Sequence, residues 1–380
     1  MHIAVNARRL EGQPFGVARY IQYILKCWSR LLEPGDRVTL FARAPIAVEG
    51  LQLSDQFQVC VASPRLTGAT WENLVLSRHA ASADVLFCPS YTAPLMPLRI
   101  PLVVATHSLD EAQRGTHSWF HDQTYARWYR LSATRAQRVV VPSQWTADAM
   151  KARYGIPAER IEVVHLGVDT DIFKPITDER ILRDTRLKYL GADVPYILFV
   201  GKMSRRRNIP ALLSAFAQLK ARTRLPHKLL LFGPNHEGLP LPELLRNLGI
   251  ESDVVQTDGR IASHSDLVPV YAAADVFVHP TSFDATSLPV HEAFAAGVPV
   301  LTVRTSGIAE IAAGTAWFAE ESTGDALADG LERVLTDAEV RSQLRAQGLR
   351  RAAQRTWHET ARLTLNAIRE TWLGARATAA

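Results

Sequence analysis

The chain of 380 residues is long enough for two domains of ordinary size, and its 47% hydrophobic and 21% charged residues are typical of a soluble globular protein. A formal net charge of +5 favours small anionic ligands or an anionic membrane face and is too weak to indicate nucleic acid. The 3 cysteines are scattered without a CxxC pair, which argues against disulfides and a zinc site, and no apolar run approaches the roughly 20 residues of a membrane span.

The first half of the chain alternates short apolar runs with longer amphipathic stretches, which is typical of a parallel sheet with crossover helices. Because residues 2–6 (HIAVN) enter a strand at once, we predict no signal peptide and a cytoplasmic protein. A helix is predicted over residues 17–32. Further strands are predicted over residues 38–42, 57–62, 84–89, 102–107 and 139–143, with a strand and turn over residues 161–169.

A predicted helix at residues 118–138 is rich in aromatic residues. Arginines at positions 127, 130, 135 and 138 are interleaved with the aromatic residues or follow them. We favour a core helix whose arginines are solvated. The alternative is a basic, aromatic surface that meets an anionic lipid-linked acceptor or the inner-membrane surface, which would make the protein peripheral at the cytoplasmic face of the membrane.

The second half repeats the alternation after a charged, loosely patterned linker at residues 174–195. Strands are predicted over residues 196–201, 228–232, 254–255, 276–280 and 298–301, and helices over residues 209–220, 265–274, 289–296, 325–335, 337–355 and 357–372. The two runs predict an α/β protein with two Rossmann-like, doubly wound domains. We place the first domain at residues 1–175 and the second at residues 190–356.

The loop after the first strand of the second domain has the composition of a diphosphate site. Gly201 ends the strand, and the cations Lys202 and Arg207 lie before the next helix. Charge-assisted hydrogen bonds to phosphate are among the strong ones in proteins, so this turn suits a diphosphate. The alternative interpretation is a solvated basic turn.

Residues 276–301 (VFVHPTSFDATSLPVHEAFAAGVPVL) predict a strand, a loop, a helix and a second strand, which together make one βαβ unit. The loop lies at the carboxyl end of a strand, where open α/β sheets bind ligands. Asp284 in the loop and Glu292 in the helix could accept hydrogen bonds from sugar hydroxyls, and the helix start suits a phosphate. The competing interpretation is a capping acid and a solvated helix glutamate.

This stretch resembles the signature of retaining glycosyltransferases of family 4, enzymes of the GT-B fold in which two Rossmann-like domains face a central cleft. The signature is an acid, seven residues and a glutamate, followed by a strand entry of the Ala-Gly-Val-Pro-Val type. The matching positions are Asp284, Leu288, Pro289, Glu292, Ala293, Gly297, Pro299 and Val300. The chain departs from the family in two places. The first acid is usually glutamate, and residues 285–287 (ATS) replace the usual Gly-Phe-Gly.

The resemblance covers nearly the whole chain and implies roles for individual residues. The catalytic set that it implies is His107, Lys202, Arg207 and Asp284. The donor-binding set is Gly16, Gly201, Lys202, Arg207, Arg260, Ile261, Asp284, Ala285, Thr286, Ser287, Leu288 and Glu292. In the family, the histidine faces the reacting sugar, the two cations hold the diphosphate, the first acid contacts sugar hydroxyls and the later glutamate contacts the ribose. The closing helix, at residues 357–380, is expected to pack on the first domain.

The implied reaction moves a hexose from a nucleotide sugar to a hydroxyl, with retention at the anomeric carbon and without a metal or other cofactor. No protein nucleophile is expected, because the leaving phosphate accepts the proton of the acceptor. The partners are a nucleotide-sugar donor and a glycan or lipid-linked oligosaccharide acceptor of surface-polysaccharide biosynthesis, and no nucleic acid. GDP-mannose is our preferred donor. The alternatives are a UDP-hexose donor, a non-catalytic sugar-nucleotide-binding protein, and a sugar phosphorylase with pyridoxal phosphate.

Overall fold

The computed structural model describes residues 1–12, 16–46, 48–109, 119–235, 237–261 and 263–379. The chain divides into two compact units, Met1–Leu166 with Trp357–Ala380, and Gly167–Thr356. Each unit is a doubly wound α/β domain on one parallel sheet, which confirms the predicted fold class. In the part of the chain that the structure describes, no helix is long and apolar enough to cross a membrane.

The sheet of the first unit contains seven parallel strands among the described residues. They are β1 (His2–Asn6), β2 (Arg37–Ala42), β3 (Phe57–Val61), β4 (Val85–Cys88), β5 (Leu102–Ala105), β6 (Arg138–Val141) and β7 (Ile161–Val163). Their order is β3-β2-β1-β4-β5-β6-β7. The order reverses between β1 and β4, so the carboxyl ends of these two strands flank the crevice where such sheets bind ligands.

Helices on both faces bury the central strands of this sheet, and every residue of β4 and β5 is buried. The helices are α1 (Gly16–Leu31), α2 (Gly68–Trp71), α3 (Ser77–Ala80), α4 (Trp119–Arg135) and α5 (Gln144–Tyr154). A π-helical segment at Glu72–Leu76 joins α2 to α3, and 3-10 helices span Arg8–Leu10, Glu49–Leu51 and Ala158–Arg160. The buried residues of α1 recur at the helical period seen in the sequence.

The second unit repeats this architecture with six parallel strands in its described part, in the order β10-β9-β8-β11-β12-β13. The strands are β8 (Tyr196–Val200), β9 (Lys228–Phe232), β10 (Val254–Thr257), β11 (Val276–His279), β12 (Val300–Val303) and β13 (Trp317–Ala319). The helices are α6 (Glu179–Leu190), α7 (Ile209–Arg222), α8 (Leu241–Leu248), α9 (Leu267–Ala272), α10 (Leu288–Ala296), α11 (Ile308–Ile311), α12 (Gly324–Thr336) and α13 (Ala338–Gln354). The order reverses between β8 and β11, and this crevice positions the candidate site.

The prediction of a linker at residues 174–195 is wrong, because these residues contain helix α6 and belong to the second unit. Asp178 caps the start of this helix with its side chain, and Gly191 ends it at a φ of 71°. Leu182 and Leu190 pack into the core of the second unit. Since only a narrow apolar stripe faces that core, the charged residues around it obscured the helical pattern in the sequence.

Two further differences concern shorter elements. The helix predicted over residues 265–274 is a 3-10 turn at His264–Asp266 that continues into the short α9. Strand β13 was not predicted, because three residues carry too little periodicity to be recognised.

The last helix, α14 (Trp357–Ala379), belongs to the first unit. The indole N–H of Trp28 in α1 donates to the carbonyl of Ala361 at 3.0 Å, and the Trp28 side chain is fully buried. Trp357 stacks on Tyr23 with the ring centroids 4.7 Å apart. Helices α1 and α14 therefore share one aromatic contact surface.

We expect Trp28→Ala to destabilise the first unit by about 3–5 kcal/mol, because it opens a cavity between α1 and α14 and leaves the Ala361 carbonyl without its donor. Urea unfolding of the full chain, followed by circular dichroism, measures this. Leu373→Ala, on α14 at a position that is 56% exposed, is the control and should change the free energy of unfolding by no more than about 0.5 kcal/mol. Equal effects of the two variants would contradict the packing described here.

Candidate functional site

Three glycines bring together the loops at the carboxyl ends of β8, β9 and β10. Gly201, Gly233 and Gly259 have φ values of 139°, 158° and 70°. A Cβ atom at Gly233 would lie 2.0 Å from the carbonyl oxygen of Gly201, and one at Gly259 would lie 2.8 Å from the Cα atom of Gly233. Because no side chain fits between these loops, this edge of the sheet presents backbone atoms.

The cationic turn after β8 is anchored to the loop after β11. Arg205–Arg207 form a 3-10 helix, and α7 begins two residues later. The backbone carbonyl of Arg206 accepts hydrogen bonds from Ser282 N at 2.8 Å and from Thr281 Oγ1 at 3.1 Å. These bonds fix the turn against the loop that carries Asp284.

Asp284 is a buried carboxylate held by two arginines. Its Oδ2 atom lies 2.6 Å from Arg207 Nη1, and its Oδ1 atom lies 3.2 Å from Arg206 Nη1. The same Nη1 of Arg207 donates to His279 Nε2 at 2.8 Å. The structure therefore brings the predicted residues Asp284 and Arg207 together. It adds Arg206 and His279, which the sequence analysis did not single out.

Burial and neighbouring charges set the protonation of this cluster. Burial alone would raise the pKa of Asp284, but Arg207, His279 and Arg206 outweigh it and hold this pKa well below its usual range. Burial, followed by the charge of Arg207, lowers the pKa of His279 to about 4. At neutral pH the cluster thus contains an ionised carboxylate, a neutral imidazole and two guanidinium groups, and its positive excess suits an anionic ligand.

The capping interpretation of Asp284 is wrong, because α10 begins at Leu288 with Ser287 as its N-cap residue. The backbone N–H of Asp284 instead donates to Ser306 Oγ at 2.8 Å, and its carbonyl accepts from Gly307 N at 3.0 Å. The loop after β11 is therefore bonded to the loop after β12 on one side and to the cationic turn on the other.

The predicted donor-binding loop is tightly packed at its base. A Cβ atom at Gly307 would lie 1.8 Å from the carbonyl oxygen of Ala285, which is itself fully buried. The hydroxyls of Thr286 and Ser287 are buried and have no hydrogen-bond partner within the described residues. They lie immediately before the first backbone N–H of α10 at Leu288. Hydroxyls and helix-start amides in this arrangement suit an oxygen-rich ligand such as a sugar phosphate.

Glu292 is 3% exposed, so the solvated interpretation of this residue is also wrong. Its Oε1 atom lies 2.9 Å from His264 Nε2, and its Oε2 atom accepts from the hydroxyl of Tyr271 at 2.9 Å. The ring of His264 in turn contacts the edge of Phe173 at 4.9 Å between centroids. His264 and Tyr271 are further residues that sequence reasoning missed, because neither stands in a recognisable motif.

The remaining predicted donor residues lie at the ends of the same strands. Lys202, which follows Gly201 at the end of β8, is exposed. The side chain of Arg260 is 90% exposed and pairs with Asp258 at 2.9 Å, whereas Ile261 packs against the core. The structure therefore brings Arg207, but not Arg260, into the buried cluster. Contact of Lys202, Arg260 and Ile261 with a donor stays a prediction.

His107 follows β5 in the first unit and is enclosed by aromatic rings. Its Nε2–H donates to the carbonyl of Pro89 at 2.7 Å, and the edges of Tyr20 and Tyr91 contact it at 4.5 and 5.5 Å between centroids. Burial lowers the pKa of His107 to about 4, with Arg9 acting in the same direction and Pro89 against it. The ring is therefore neutral at pH 7 and keeps Nδ1 as an acceptor. Its contact with a reacting sugar stays a prediction.

Gly16 is the exposed first residue of α1. The rest of its predicted loop, residues 13–15, lies outside the described residues, as does Asp110 in the polar loop after His107. A role of Gly16 in donor binding stays a prediction as well.

Comparison with protein families matches both halves of the chain. A family described as "Glycosyltransferase Family 4" matches residues 15–172, and one described as "Glycosyl transferases group 1" matches residues 187–351. The chain belongs to glycosyltransferase family 4. This confirms the resemblance on which the site prediction rests, and it supports an enzyme of the glycosyltransferase class.

Curated relatives are similar at low identity. The O-antigen chain mannosyltransferase B of Escherichia coli is 28% identical over 63% of this chain and 62% of its own length. The MMP alpha-(1->4)-mannosyltransferase of Mycolicibacterium hassiacum is 28% identical over 70% of this chain and 64% of its own. The D-inositol 3-phosphate glycosyltransferase of Corynebacterium urealyticum is 25% identical over 90% of this chain and 88% of its own length. The chain thus spans less than two thirds of both named mannosyltransferases.

Solved structures show the same fold. Sucrose-phosphate synthase from Thermosynechococcus elongatus superimposes with a TM-score of 0.77 at 20% identity, over 98% of this chain and 99% of that one. Anabaena HepE in complex with UDP-glucose gives a TM-score of 0.77 at 20% identity, over 98% and 100%. WaaG, a glycosyltransferase involved in lipopolysaccharide biosynthesis, gives 0.71 at 18% identity, over 97% and 99%. The fold is therefore GT-B.

We expect Asp284→Asn to destabilise the second unit by about 2–4 kcal/mol at pH 7, since it removes the acceptor of two largely buried arginines. The native pKa of Asp284 is lowered, so its stabilisation is complete above the unfolded pKa near 3.9 and is lost as pH falls below it. The difference in the free energy of unfolding between the wild type and the variant should be about 1 kcal/mol smaller at pH 3 than at pH 7.

Urea unfolding at pH 7 and pH 3 measures this difference. Asp258→Asn removes a carboxylate that is 61% exposed and paired with Arg260, and this control should cost no more than about 0.5 kcal/mol at either pH. A gap between Asp284→Asn and the wild type that stayed constant between the two pH values would contradict the assigned pKa direction.

Proposed function

We propose that this protein is a retaining hexosyltransferase that moves mannose from GDP-mannose to a hydroxyl of a glycan or lipid-linked oligosaccharide in surface-polysaccharide biosynthesis. The observation that carries the proposal is the cluster of Asp284, Arg206 and Arg207 beside the start of α10. It offers a carboxylate for sugar hydroxyls, cations for a diphosphate and helix-start amides for the same phosphates.

In this mechanism the guanidinium groups of Arg206 and Arg207 stabilise the charge that develops on the leaving diphosphate. Lys202, exposed one residue after Gly201, adds a third cation at the same edge. The acceptor hydroxyl attacks the anomeric carbon from the face that the diphosphate leaves, and a phosphate oxygen takes its proton. The new glycosidic bond therefore keeps the original configuration, and the protein supplies no nucleophile.

Asp284 and Glu292 take separate parts in donor binding. Because Asp284 stays ionised, it accepts hydrogen bonds from hydroxyls of the transferred sugar without giving up a proton. Glu292 accepts from the ribose hydroxyls, and His264 and Tyr271 hold its carboxylate in place from the protein side. The neutral His279 positions the guanidinium of Arg207 without adding a competing charge.

Mannose is proposed because two of the relatives are named mannosyltransferases. A UDP-hexose donor is the second candidate, and the observation that favours it is that the similar structure of HepE is a complex with UDP-glucose. A non-catalytic sugar-nucleotide-binding protein is less well supported, since Asp284, Glu292 and Arg207 are all present in a bonded constellation.

We propose that transfer needs no metal or other cofactor. Within the described residues, no three or more histidine, cysteine, aspartate or glutamate side chains are grouped so as to hold a metal ion. Arg206 and Arg207 supply the positive charge that a metal would otherwise bring to the diphosphate. Transfer that stops on addition of EDTA would overturn this part of the proposal.

We also propose a cytoplasmic protein whose first unit touches an anionic membrane face, which is the alternative to the solvated arginines favoured from the sequence. Helix α4 presents exposed Arg127 and Arg130, with Leu131 beside them at 38% exposure. Residues at this spacing lie on one helix face, and a basic face with an apolar side chain suits an anionic lipid surface.

The donor proposal is tested by thermal unfolding with GDP-mannose, UDP-glucose, UDP-GlcNAc, GDP and UDP. A donor at 100 times its dissociation constant adds about 2.7 kcal/mol of stability, and we expect GDP-mannose to give this shift. Arg207→Ala and Glu292→Ala should weaken it, whereas Arg205→Ala, an exposed arginine of the same turn, should not. If only the uridine compounds raise the unfolding temperature, the donor is a UDP-hexose and not GDP-mannose. If no nucleotide sugar raises it, the catalytic proposal is overturned.

The membrane proposal is tested by sedimentation with phosphatidylglycerol vesicles and with phosphatidylcholine vesicles. We expect binding to the anionic vesicles that the double variant Arg127→Ala with Arg130→Ala reduces by about tenfold. The matched control is Arg180→Ala with Arg183→Ala on α6, which removes the same charge from exposed positions of the second unit. An equal loss in both double variants would show that net charge alone, and no particular face, governs binding.

A further inference from the structure

The carboxylate of Glu72 joins three segments of the first unit. Its side chain is fully buried, and its Oε1 atom accepts hydrogen bonds from Asn6 Nδ2 at 3.0 Å and from Thr92 Oγ1 at 2.9 Å. Arg8 Nη2 lies 2.9 Å from the same atom. Asn6 ends β1, Arg8 begins the 3-10 helix after β1, and Thr92 lies in the loop after β4. One buried carboxylate therefore connects both loops at the crevice where the strand order of this sheet reverses.

Two local features of the chain put Glu72 and Arg8 in contact. Glu72 is the first residue of the π-helical segment Glu72–Leu76, and such segments are rare and are frequent at functional sites. Gly68, which begins α2, lies against the guanidinium of Arg8, and a Cβ atom at this glycine would overlap Nη1. A side chain at position 68 would therefore displace the guanidinium from its place beside the carboxylate.

Stability alone does not account for this network. Within the described residues, Glu72 Oε2 and Arg8 Nε are buried and have no hydrogen-bond partner. Buried charged groups with incomplete partners cost free energy, and apolar side chains in place of a buried ion pair often stabilise a protein. In some proteins such a pair is retained because it fixes one conformation. The conformation that this pair fixes is that of the two loops.

Both loops border His107. Tyr91 precedes Thr92, and its ring contacts the ring of His107 at 5.5 Å between centroids. The backbone of Tyr91 has a φ of 64°, which a bulky residue keeps only where the surrounding structure imposes it. Arg9 follows Arg8 in the other loop. Burial is the main cause of the lowered pKa of His107, and the charge of Arg9 lowers this pKa as well, so Arg9 lies within electrostatic reach of the ring.

We propose that Glu72 is a positioning residue for His107. Its bond to Thr92 holds the loop after β4, and its ion pair with Arg8 holds the loop after β1, so that both loops keep their places around the imidazole. The inference rests on the proposed function, because His107 belongs to the catalytic set that the family resemblance implies. Since Glu72 is fully buried, it acts through these neighbours and not by contact with a substrate.

The test uses two variants that move the guanidinium of Arg8 in different ways. Gly68→Ala removes no polar group and displaces the guanidinium by overlap. Arg8→Met combined with Glu72→Gln removes the ion pair and keeps a side-chain oxygen at position 72 as an acceptor for Asn6 and Thr92. The thermal stability of this double variant should be retained or should rise, because no buried charge is left.

Each variant has a matched control in the same unit. Gly374→Ala adds a Cβ atom that meets nothing within 4 Å, so it reproduces the substitution without the overlap. Asp36→Asn combined with Arg369→Met removes another largely buried ion pair, whose atoms are 2.8 Å apart. Asp36 immediately precedes β2, so this second pair lies at the amino edge of the sheet and away from His107.

NMR of the full chain labelled with 15N-histidine reports the position of His107, whose signals are assigned by their loss in His107→Asn. We expect both variants, and neither control, to shift the ring signals of His107 and to speed solvent exchange of the Nε2–H that donates to Pro89. Hydrolysis of GDP-mannose and of UDP-glucose is measured on the same proteins. The kcat of whichever donor is used should fall roughly 10- to 100-fold, with its dissociation constant from thermal unfolding unchanged.

Unchanged signals of His107 in both variants would overturn the inference, and so would equal changes in the variants and in their controls. Turnover that stays at the wild-type rate while the signals of His107 move would overturn the role in the reaction. If the signals move as expected while the wild type neither binds nor hydrolyses a nucleotide sugar, the positioning of His107 by Glu72 stands and the proposed transferase function fails. The two claims therefore fail through different measurements.

Discussion

The ionised, buried carboxylate of Asp284 is the constraint on which the second unit depends at the carboxyl edge of its sheet. A charge with 6% exposure is tolerated only when cations lie within contact distance, so the turn that carries Arg206 and Arg207 must stay close to the loop after β11. Backbone hydrogen bonds hold the loop after β11 in this position: it is bonded to the carbonyl of Arg206 on one side and to the loop after β12 on the other. The contacts that neutralise the buried charge of Asp284 therefore also fix the positions of these loops.

The two units share a sheet topology and differ in the side chains at their carboxyl edges. In the second unit, glycines allow neighbouring loops to approach each other closely, and the side chains at this edge are arginines and acids. In the first unit, the corresponding edge carries stacked aromatic rings and a neutral histidine. One edge therefore presents charged side chains that suit a phosphate-bearing ligand, and the other presents uncharged aromatic rings. The doubly wound scaffold accommodates both because its loops vary independently of its strands.

The sequence predicted the sheets and the main site residues because both leave local patterns. Buried strands appear as short apolar runs, and the acid pair of Asp284 and Glu292 stands in a recognisable motif. The contacts of these acids were not predictable, since their partners are remote along the chain: Arg207 was predicted as a ligand of the diphosphate and not as the partner of Asp284, and His264 was not predicted at all. His264 reaches Glu292 across 28 positions and Arg207 reaches Asp284 across 77. Contacts of this kind depend on strand order, which no local pattern encodes.

Helix α6 was not recognised in the sequence for the opposite reason. Its pattern is local, but two buried leucines among many charged residues give a signal too weak to distinguish a surface helix from a linker. The cap at Asp178 and the glycine at Gly191 mark its limits more clearly than its hydrophobic residues do. Capping residues are thus the better guide wherever a helix buries only one narrow stripe.

The first unit is discontinuous in the chain, since it contains Met1–Leu166 and then α14. During synthesis, Trp28 and Tyr23 emerge long before the helix that covers them. The second unit, being one continuous segment, has all of its residues available earlier. The order of completion on the ribosome is therefore the reverse of the order of the sequence: the unit that starts the chain finishes last. Until α14 arrives, the aromatic face of α1 stays open to solvent and to other nascent chains.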